Sequence, residues 1–144
     1  MAVPHIAPEV DPDELVLEDE ASPPDRLARS MAVGLVAIGV VHFVSPEFFE
    51  KIVPRFLGHA RFLVYLSGVF EIASGILIAV PRTRRTGALL AAATIVAVYP
   101  ANWQMALDAG WPPRGAEGWG AWIRLPFQAP MVWVALKVAQ RAKS

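Results

Sequence analysis

The sequence predicts an all-α membrane protein: a four-transmembrane-helix bundle with a short amphipathic interfacial helix between helices 1 and 2. Of its 144 residues, 55% are hydrophobic and only 18% are charged, which is more apolar and less charged than usual for a soluble domain. Four apolar segments follow one another along the chain, each near the roughly 20 residues that a helix needs to cross a bilayer. The length corresponds to one domain.

The first 26 residues predict a disordered acidic tail. They contain eight of the 13 acidic residues and five prolines, without a sustained apolar period. Residues 27–144 form the predicted four-helix domain, and the two parts together have a net charge of zero. We therefore expect no nucleic-acid partner. The absence of cysteine excludes disulfides, thiol redox chemistry and Cys-ligated iron–sulfur clusters.

The four apolar segments differ in quality. The second segment is the most uniformly apolar, whereas the first and fourth are short or contain more polar residues. Prolines interrupt the third and fourth segments, because proline removes a helical hydrogen bond and clashes with the preceding turn. The approximate bounds are 27–44, 61–80, 87–107 and 119–136.

A soluble four-helix bundle is the alternative, and the second segment argues against it. A helix of such a bundle carries a charged face opposite its apolar stripe, but Glu71 is the only Asp, Glu, Lys, Arg or His between Phe62 and Val80. The apolar residues around Glu71 offset the roughly 3 kcal/mol that a central acid costs on insertion scales.

The connections between the segments also indicate a membrane protein. Three arginines crowd the turn at residues 81–85. Four tryptophans surround the third connection, as an interfacial aromatic belt would: Trp103, Trp111, Trp119 and Trp122.

The first connection predicts the short interfacial helix. Ser45 and Pro46 suit the N-cap and first helical position. Apolar residues then recur at helical spacing, so we expect this helix to lie on the membrane surface. These residues are Phe48, Phe49, Ile52 and Val53.

The basic residues predict the orientation. The side holding the tail, the second connection and the C-terminus has eight lysines and arginines, and the opposite side has five. The positive-inside rule then places both termini, including the acidic tail, in the cytoplasm of a multi-pass cell-membrane protein.

Polar side chains inside a bilayer are costly and usually face the interior of the helix bundle. Glu71 lies near the middle of the second segment, with Ser67, Gly68, Ser74 and Gly75 on its face, and such small residues allow close helix packing. Glu71 is therefore either a packing residue, protonated or ion-paired, or a proton carrier or ligand contact.

The other polar residues have equally open interpretations. His42 is an interfacial or packing residue, or a ligand contact, and no second histidine stands at metal-ligand spacing, so we expect no metal site. Pro100 interrupts the third segment and frees a carbonyl beside Asn102. Arg124 snorkels to the interface, pairs with Glu71 or holds a ligand oxygen.

The position of each residue along its segment places these side chains at similar depths in the bilayer. We predict one polar ligand-binding pocket that opens toward the outer leaflet and has Glu71 at its floor. Its residues are His42, Glu71, Asn102, Arg124 and Gln128.

The same residues carry a family resemblance. The chain resembles the DoxX-like small integral membrane proteins over residues 27–137. The matching stretches are Gly39-Val-Val-His42-Phe43 with Pro46, Tyr65-Leu-Ser-Gly68 with Glu71, Pro100-Ala-Asn102, and Arg124-Leu-Pro126-Phe-Gln128. The resemblance implies a four-helix transmembrane fold and a redox association, since founding members look like small subunits of a thiosulfate:quinone oxidoreductase.

Three functions remain open. The first is a quinone-facing subunit of a membrane redox complex, in which His42 or Arg124 donates a hydrogen bond and Glu71 accepts protons. No cofactor is built in and a partner must supply the electron carrier, so we do not expect an autonomous enzyme. The second is a non-catalytic scaffold or assembly partner, and the third is a small binder or transporter of a lipophilic solute. Besides the lipid bilayer, we expect a protein partner or a homo-oligomer.

Overall fold

The computed structural model describes residues 23–142, and every regular element in this part of the chain is helical. The prediction of an all-α fold is confirmed. Most of the predicted acidic tail, residues 1–22, lies outside the described residues. The helices are α1 (Pro23–Val44), α2 (Pro46–Glu50), α3 (Ala60–Ala79), α4 (Arg84–Ala97), α5 (Tyr99–Ala109) and α6 (Gly115–Arg141), and a 3-10 turn spans Arg55–Leu57.

Three helical stretches are long and apolar enough to cross a membrane. They are Arg26–Val44 in α1, Ala60–Ala79 in α3, and the 26-residue run Arg84–Ala109 formed by α4 and α5. The helix α6 has 27 residues, about 40 Å at 1.5 Å per residue, but is not among these three. The α6 helix is therefore longer than the predicted fourth segment but less apolar than the other three stretches.

The ends of the helices follow from local chemistry. Proline is tolerated in the first turn of a helix, and α1 begins at Pro23, three residues before the predicted end of the tail. The basic turn satisfies carbonyls at the end of α3: the Thr83 hydroxyl donates to the Leu77 carbonyl at 2.8 Å, and Arg84 Nε donates to the Ile78 carbonyl at 3.1 Å.

The prolines in the two later segments have different effects. The third segment is interrupted as predicted: α4 ends at Ala97, Val98 separates the helices, and Pro100 stands in the first turn of α5. The fourth is not interrupted, because α6 continues through Pro126 and Pro130. Each proline removes a single hydrogen bond, and neighbouring helices and local adjustments support a helix around such positions.

The interfacial helix is shorter than the apolar spacing predicts. The α2 helix ends at Glu50, and Ile52 and Val53 lie beyond it. Pro46 stands in its first turn as expected, but the Ser45 side chain makes no capping hydrogen bond. Phe49 is buried, whereas Phe48 is 57% exposed, so this five-residue helix is amphipathic.

The long helices pack in sequence order, with α1 against α3, α3 against α4, and α4 and α5 against α6. The contact of α1 with α6 is much smaller. All four long helices meet in one buried cluster, near which the described chain begins and ends. We call this tightly packed part of the molecule the closed end. Its residues are Ala28, Ala32, Leu35, Ile78, Ala88, Ala91, Val138 and Ala139.

Candidate functional site

A cavity of about 500 Å³ lies between the helices, beyond the closed end. Its wall comes from α1, α3, α4, α5 and α6, and from α2 and the turn after it. We call this part of the molecule the cavity end. All five residues predicted to form a pocket line this cavity: His42, Glu71, Asn102, Arg124 and Gln128.

The wall is mainly apolar, so the expectation of a polar pocket is only partly right. Besides the five predicted residues, only Ser67 and Thr94 contribute polar side chains, and the remaining lining residues are aliphatic, aromatic or proline. The hydroxyls of Ser67 and Thr94 donate to carbonyls of their own helices, at 2.8 and 2.9 Å. These two hydroxyl hydrogens are therefore already used.

His42 and Glu71 face each other across the α1–α3 interface. His42 Nδ1 lies 3.2 Å from Glu71 Oε2 and 2.8 Å from the carbonyl oxygen of Ile38. A carbonyl oxygen only accepts hydrogen bonds, so Nδ1 carries the hydrogen and donates it to Ile38. The side chains of His42 and Glu71 are 8% and 13% exposed.

Two glycines allow this close approach of α1 and α3. A Cβ atom at Gly68 would lie 2.9 Å from His42 Cβ and 3.0 Å from the Gly39 carbonyl oxygen. A Cβ at Gly39 would lie 2.8 Å from the Gly68 carbonyl oxygen. The small-residue face predicted beside Glu71 therefore packs on α1, as such faces do between membrane helices.

Phe49 covers the other side of the His42 ring. The two rings are stacked, with centroids 3.8 Å apart and an interplanar angle of 16°. Aromatic contacts of this kind restrict ring orientation as well as adding packing energy. The buried residue of the interfacial helix thus fixes the position of the histidine in the cavity wall.

Gln128, on α6, lies beside the interruption between α4 and α5. Its Nε2 donates to the carbonyl oxygen of Ile95, in the last turn of α4, at 2.9 Å. Since Val98 and Pro100 end the regular helix, carbonyls in this turn need partners from outside the helix. Gln128 provides one, and this bond joins α6 to the interruption.

Several polar groups in the cavity wall lack partners among the described residues. Glu71 Oε2 and Gln128 Oε1 are buried without a hydrogen bond. The side chains of Asn102 and Arg124 also show no hydrogen bond or ion pair within residues 23–142. Buried polar groups are nearly always paired in native proteins, so the two buried oxygen atoms indicate a place for a polar group of a ligand or for water.

Arg124 and Glu71 do not form the ion pair that the sequence left open. Both line the cavity, but the ion pairs between described residues are His42–Glu71 and the exposed Arg61–Glu50. Among the described residues, Glu71 is therefore in contact with His42, and Arg124 takes part in no ion pair.

Two features of the site were not predictable from the pattern of polar residues. Phe49 was assigned to the membrane surface, although its spacing from His42 could have suggested a contact. The Gln128–Ile95 bond depends on how α6 is placed against α4. No group of three or more His, Asp or Glu in the described part of the chain could hold a metal ion.

The four tryptophans separate into two groups at the ends of α5 and α6. Trp111 contacts Trp119 and Trp122, with ring centroids 6.4 and 5.4 Å apart, and Trp122 Nε1 donates to the Gly110 carbonyl at 3.0 Å. Trp103 instead contacts Tyr99. The first three rings form a cluster outside the cavity wall.

Comparisons with known proteins place the chain in a family but give no activity. No curated protein and no solved structure matches it. A family model does match residues 31–139, described as a domain of unknown function, DUF8561. This match extends from within α1 to near the end of α6 and includes the complete cavity wall, and the chain therefore belongs to the DUF8561 family.

Proposed function

We propose that this protein is a four-span membrane protein with both termini in the cytoplasm, similar to the DoxX-like proteins. Three membrane-length apolar helices support this proposal, and α6 is long enough to be the fourth span. The distribution of basic residues, eight against five, supports the orientation. The acidic residues 1–26 would then form a cytoplasmic tail.

Within the bilayer, the protein binds a lipophilic molecule that has a small polar head, and an isoprenoid quinone is the class that fits best. One observation carries this proposal: a largely apolar cavity of about 500 Å³ has two buried oxygen atoms without hydrogen-bond partners in its wall, Glu71 Oε2 and Gln128 Oε1. Small-molecule pockets have this volume and this mixture of apolar wall and few polar contacts. An apolar wall suits the ring and chain, and the polar cluster suits the ring oxygens.

As a quinone-facing subunit, the protein works with a partner that carries electrons. The residues that line the cavity can bind and orient a quinone and exchange protons with it. They offer no group that carries electrons. A protein partner in the same membrane therefore supplies the redox centre, and this chain is not an autonomous enzyme.

A binder or transporter of another lipophilic solute is the second candidate. The interrupted α4–α5 stretch favours it, because non-helical backbone beside a cavity is common at the substrate sites of transporters. A scaffold that binds no small molecule would have no need for the unpartnered polar groups in the cavity.

Purification of the full chain from its native membrane in mild detergent, followed by mass spectrometry of bound lipids, quinones and proteins, tests these functions. We expect a quinone at a stoichiometry of about one per chain. Ala97→Trp would fill part of the cavity and should remove it, since Ala97 lines the wall. Ala129→Trp is the matched control, because Ala129 is an exposed α6 residue outside the wall.

Each outcome separates the candidates. A different lipophilic solute that is lost in Ala97→Trp and retained in Ala129→Trp would favour the solute binder. Co-purified proteins without a small molecule in the cavity would favour the scaffold. Protease access to the N-terminal tail in sealed inside-out vesicles tests the orientation independently.

A further inference from the structure

The unpartnered groups in the cavity wall differ in what they can offer a ligand. The Gln128 amide nitrogen donates to Ile95, at 2.9 Å, so the oxygen Oε1 is the part of this side chain without a partner. Oε1 can only accept a hydrogen bond. Gln128 is 6% exposed, and an acceptor buried this deeply is costly to leave unmatched.

Glu71 provides a second acceptor in the same wall. Its Oε2 is buried without a hydrogen bond, although the His42 ring nitrogen lies 3.2 Å away. The hydrogen on that nitrogen is directed to the Ile38 carbonyl and does not satisfy the carboxyl group. A carboxyl group retains acceptor capacity whether it is ionised or protonated.

The donors of the cavity wall complete the pattern. The Arg124 guanidinium and the Asn102 amide line the cavity without hydrogen bonds to other described residues. A ligand that matches all four groups must therefore both donate and accept hydrogen bonds at its polar head. A hydroxyl group does both, whereas a carbonyl oxygen only accepts.

We infer that the cavity selects the reduced form of the ligand, a quinol, over the oxidised quinone, through the acceptors Glu71 and Gln128. This inference rests on the proposed function, because it concerns which form of a quinone-type molecule occupies the cavity. A quinone leaves both buried acceptors unmatched, and a quinol gives each of them a hydroxyl hydrogen. The oxygens of the same hydroxyls can accept from Arg124 and Asn102.

Three ligands that differ only at the ring oxygens test the inference on the full chain in detergent micelles. They are tetramethylhydroquinone, tetramethylbenzoquinone and the dimethyl ether of the hydroquinone, titrated without oxygen by isothermal calorimetry. The dimethyl ether keeps the reduced ring but has no hydrogen to donate. We expect the hydroquinone to bind about tenfold more tightly than either of the other two, the effect of one to two additional hydrogen bonds.

Glu71→Met assigns part of this preference to the carboxyl group, because methionine has a similar length and no strong acceptor. We expect it to lower the quinol-to-quinone affinity ratio about threefold. Gln104→Met is the control, since Gln104 lies outside the cavity wall and bonds to Asp108. If Glu71→Met does not fold, the three-ligand series on the unmodified chain still decides the question.

The failures of the inference and of the proposed function are distinguishable. Equal binding of quinol and quinone, or tighter binding of quinone, overturns the selectivity and leaves quinone binding intact. Equal binding of the quinol and its dimethyl ether overturns the role of donated hydrogens. Absence of binding by all three ligands overturns the proposed function, and the selectivity with it.

Discussion

The closed end and the cavity end use the same four helical stretches but different side chains. At the closed end, alanines dominate the contacts, and Ile78, Ala88 and Ala91 are fully buried. At the cavity end, larger residues and unpartnered polar groups surround about 500 Å³ of space. Glu71 is only seven residues from Ile78, about 10 Å along α3, so the change between the two ends occurs within two helical turns.

The difference is of the kind expected if these helices span a bilayer, as proposed. Lipid is as apolar as the protein interior, so helices associate through close packing of small residues and through hydrogen bonds. The closed end provides the packing. The cavity end can then leave polar groups unmatched, because the assembly does not depend on them for its cohesion.

The largest effect is expected from a substitution at the closed end. A Cβ atom at Gly87 would lie 2.6 Å from Leu77 Cβ and 2.7 Å from the Ile78 backbone nitrogen, and a backbone atom cannot move aside as a side chain can. We expect Gly87→Val to lower the free energy of unfolding by about 3 kcal/mol, the upper range for overpacking. Unfolding in mixed detergent micelles, followed by circular dichroism, measures it.

Gly34→Val is the matched control for this substitution. Gly34 also lies within a long helix, but a Cβ there would have no atom within 4 Å of it. We expect an effect below about 1 kcal/mol. Similar losses for both variants would show that helix propensity, rather than packing at the closed end, determines the stability.

The sequence predicts the closed end less completely than the cavity end. Alanine and leucine recur throughout the apolar segments, so nothing in the pattern distinguishes Ala88 and Ala91, which are fully buried, from an exposed alanine such as Ala93. Burial here depends on which face of α4 meets α3 and α6. That information lies in contacts between segments far apart in the chain.

The polar residues were easier to place, because a bilayer makes their position costly unless they face protein. That constraint, with depth along each helix, was enough to bring His42, Glu71, Asn102, Arg124 and Gln128 to one cavity. It could not choose their partners. A Glu71–Arg124 pair was one of three alternatives for Arg124, and Glu71 instead contacts His42 at 3.2 Å, where two glycines bring α1 close to α3.

Proline was the least reliable signal. The sequence treats Pro100, Pro126 and Pro130 alike, but only the first accompanies an end of helix. The surroundings of a proline, rather than its presence, decide the outcome. At the interruption before Pro100, Gln128 donates to the Ile95 carbonyl from 33 residues away, a distance over which local pattern carries no information.

A smaller effect is expected from removing the hydrogen bond between Gln128 and the Ile95 carbonyl at the cavity end. Gln128→Leu deprives the Ile95 carbonyl of its donor, and we expect the free energy of unfolding to fall by about 1 kcal/mol. Gln104→Leu is the control, because it removes only an exposed hydrogen bond within α5, to Asp108 at 2.8 Å, worth about 0.3 kcal/mol. Equal stability of Gln128→Leu and the unmodified chain would show that the interruption of α4–α5 needs no support from α6.

The smallest effect is expected from an exposed contact at the rim of the cavity end. There Arg61 Nε donates to Glu50 Oε1 at 2.6 Å, and this bond connects α2 to the first turn of α3. The Arg61 side chain is 59% exposed, and exposed ion pairs contribute little to stability. Arg61→Ala should therefore change the free energy of unfolding by less than Gln128→Leu does, and by less still in high salt because such pairs are screened. Arg55→Ala, which removes an exposed arginine from the neighbouring 3-10 turn, is the control for charge alone. A loss larger than that of Gln128→Leu would reverse the ranking of the two contacts and show that the rim, rather than the α4–α6 bond, holds the cavity end together.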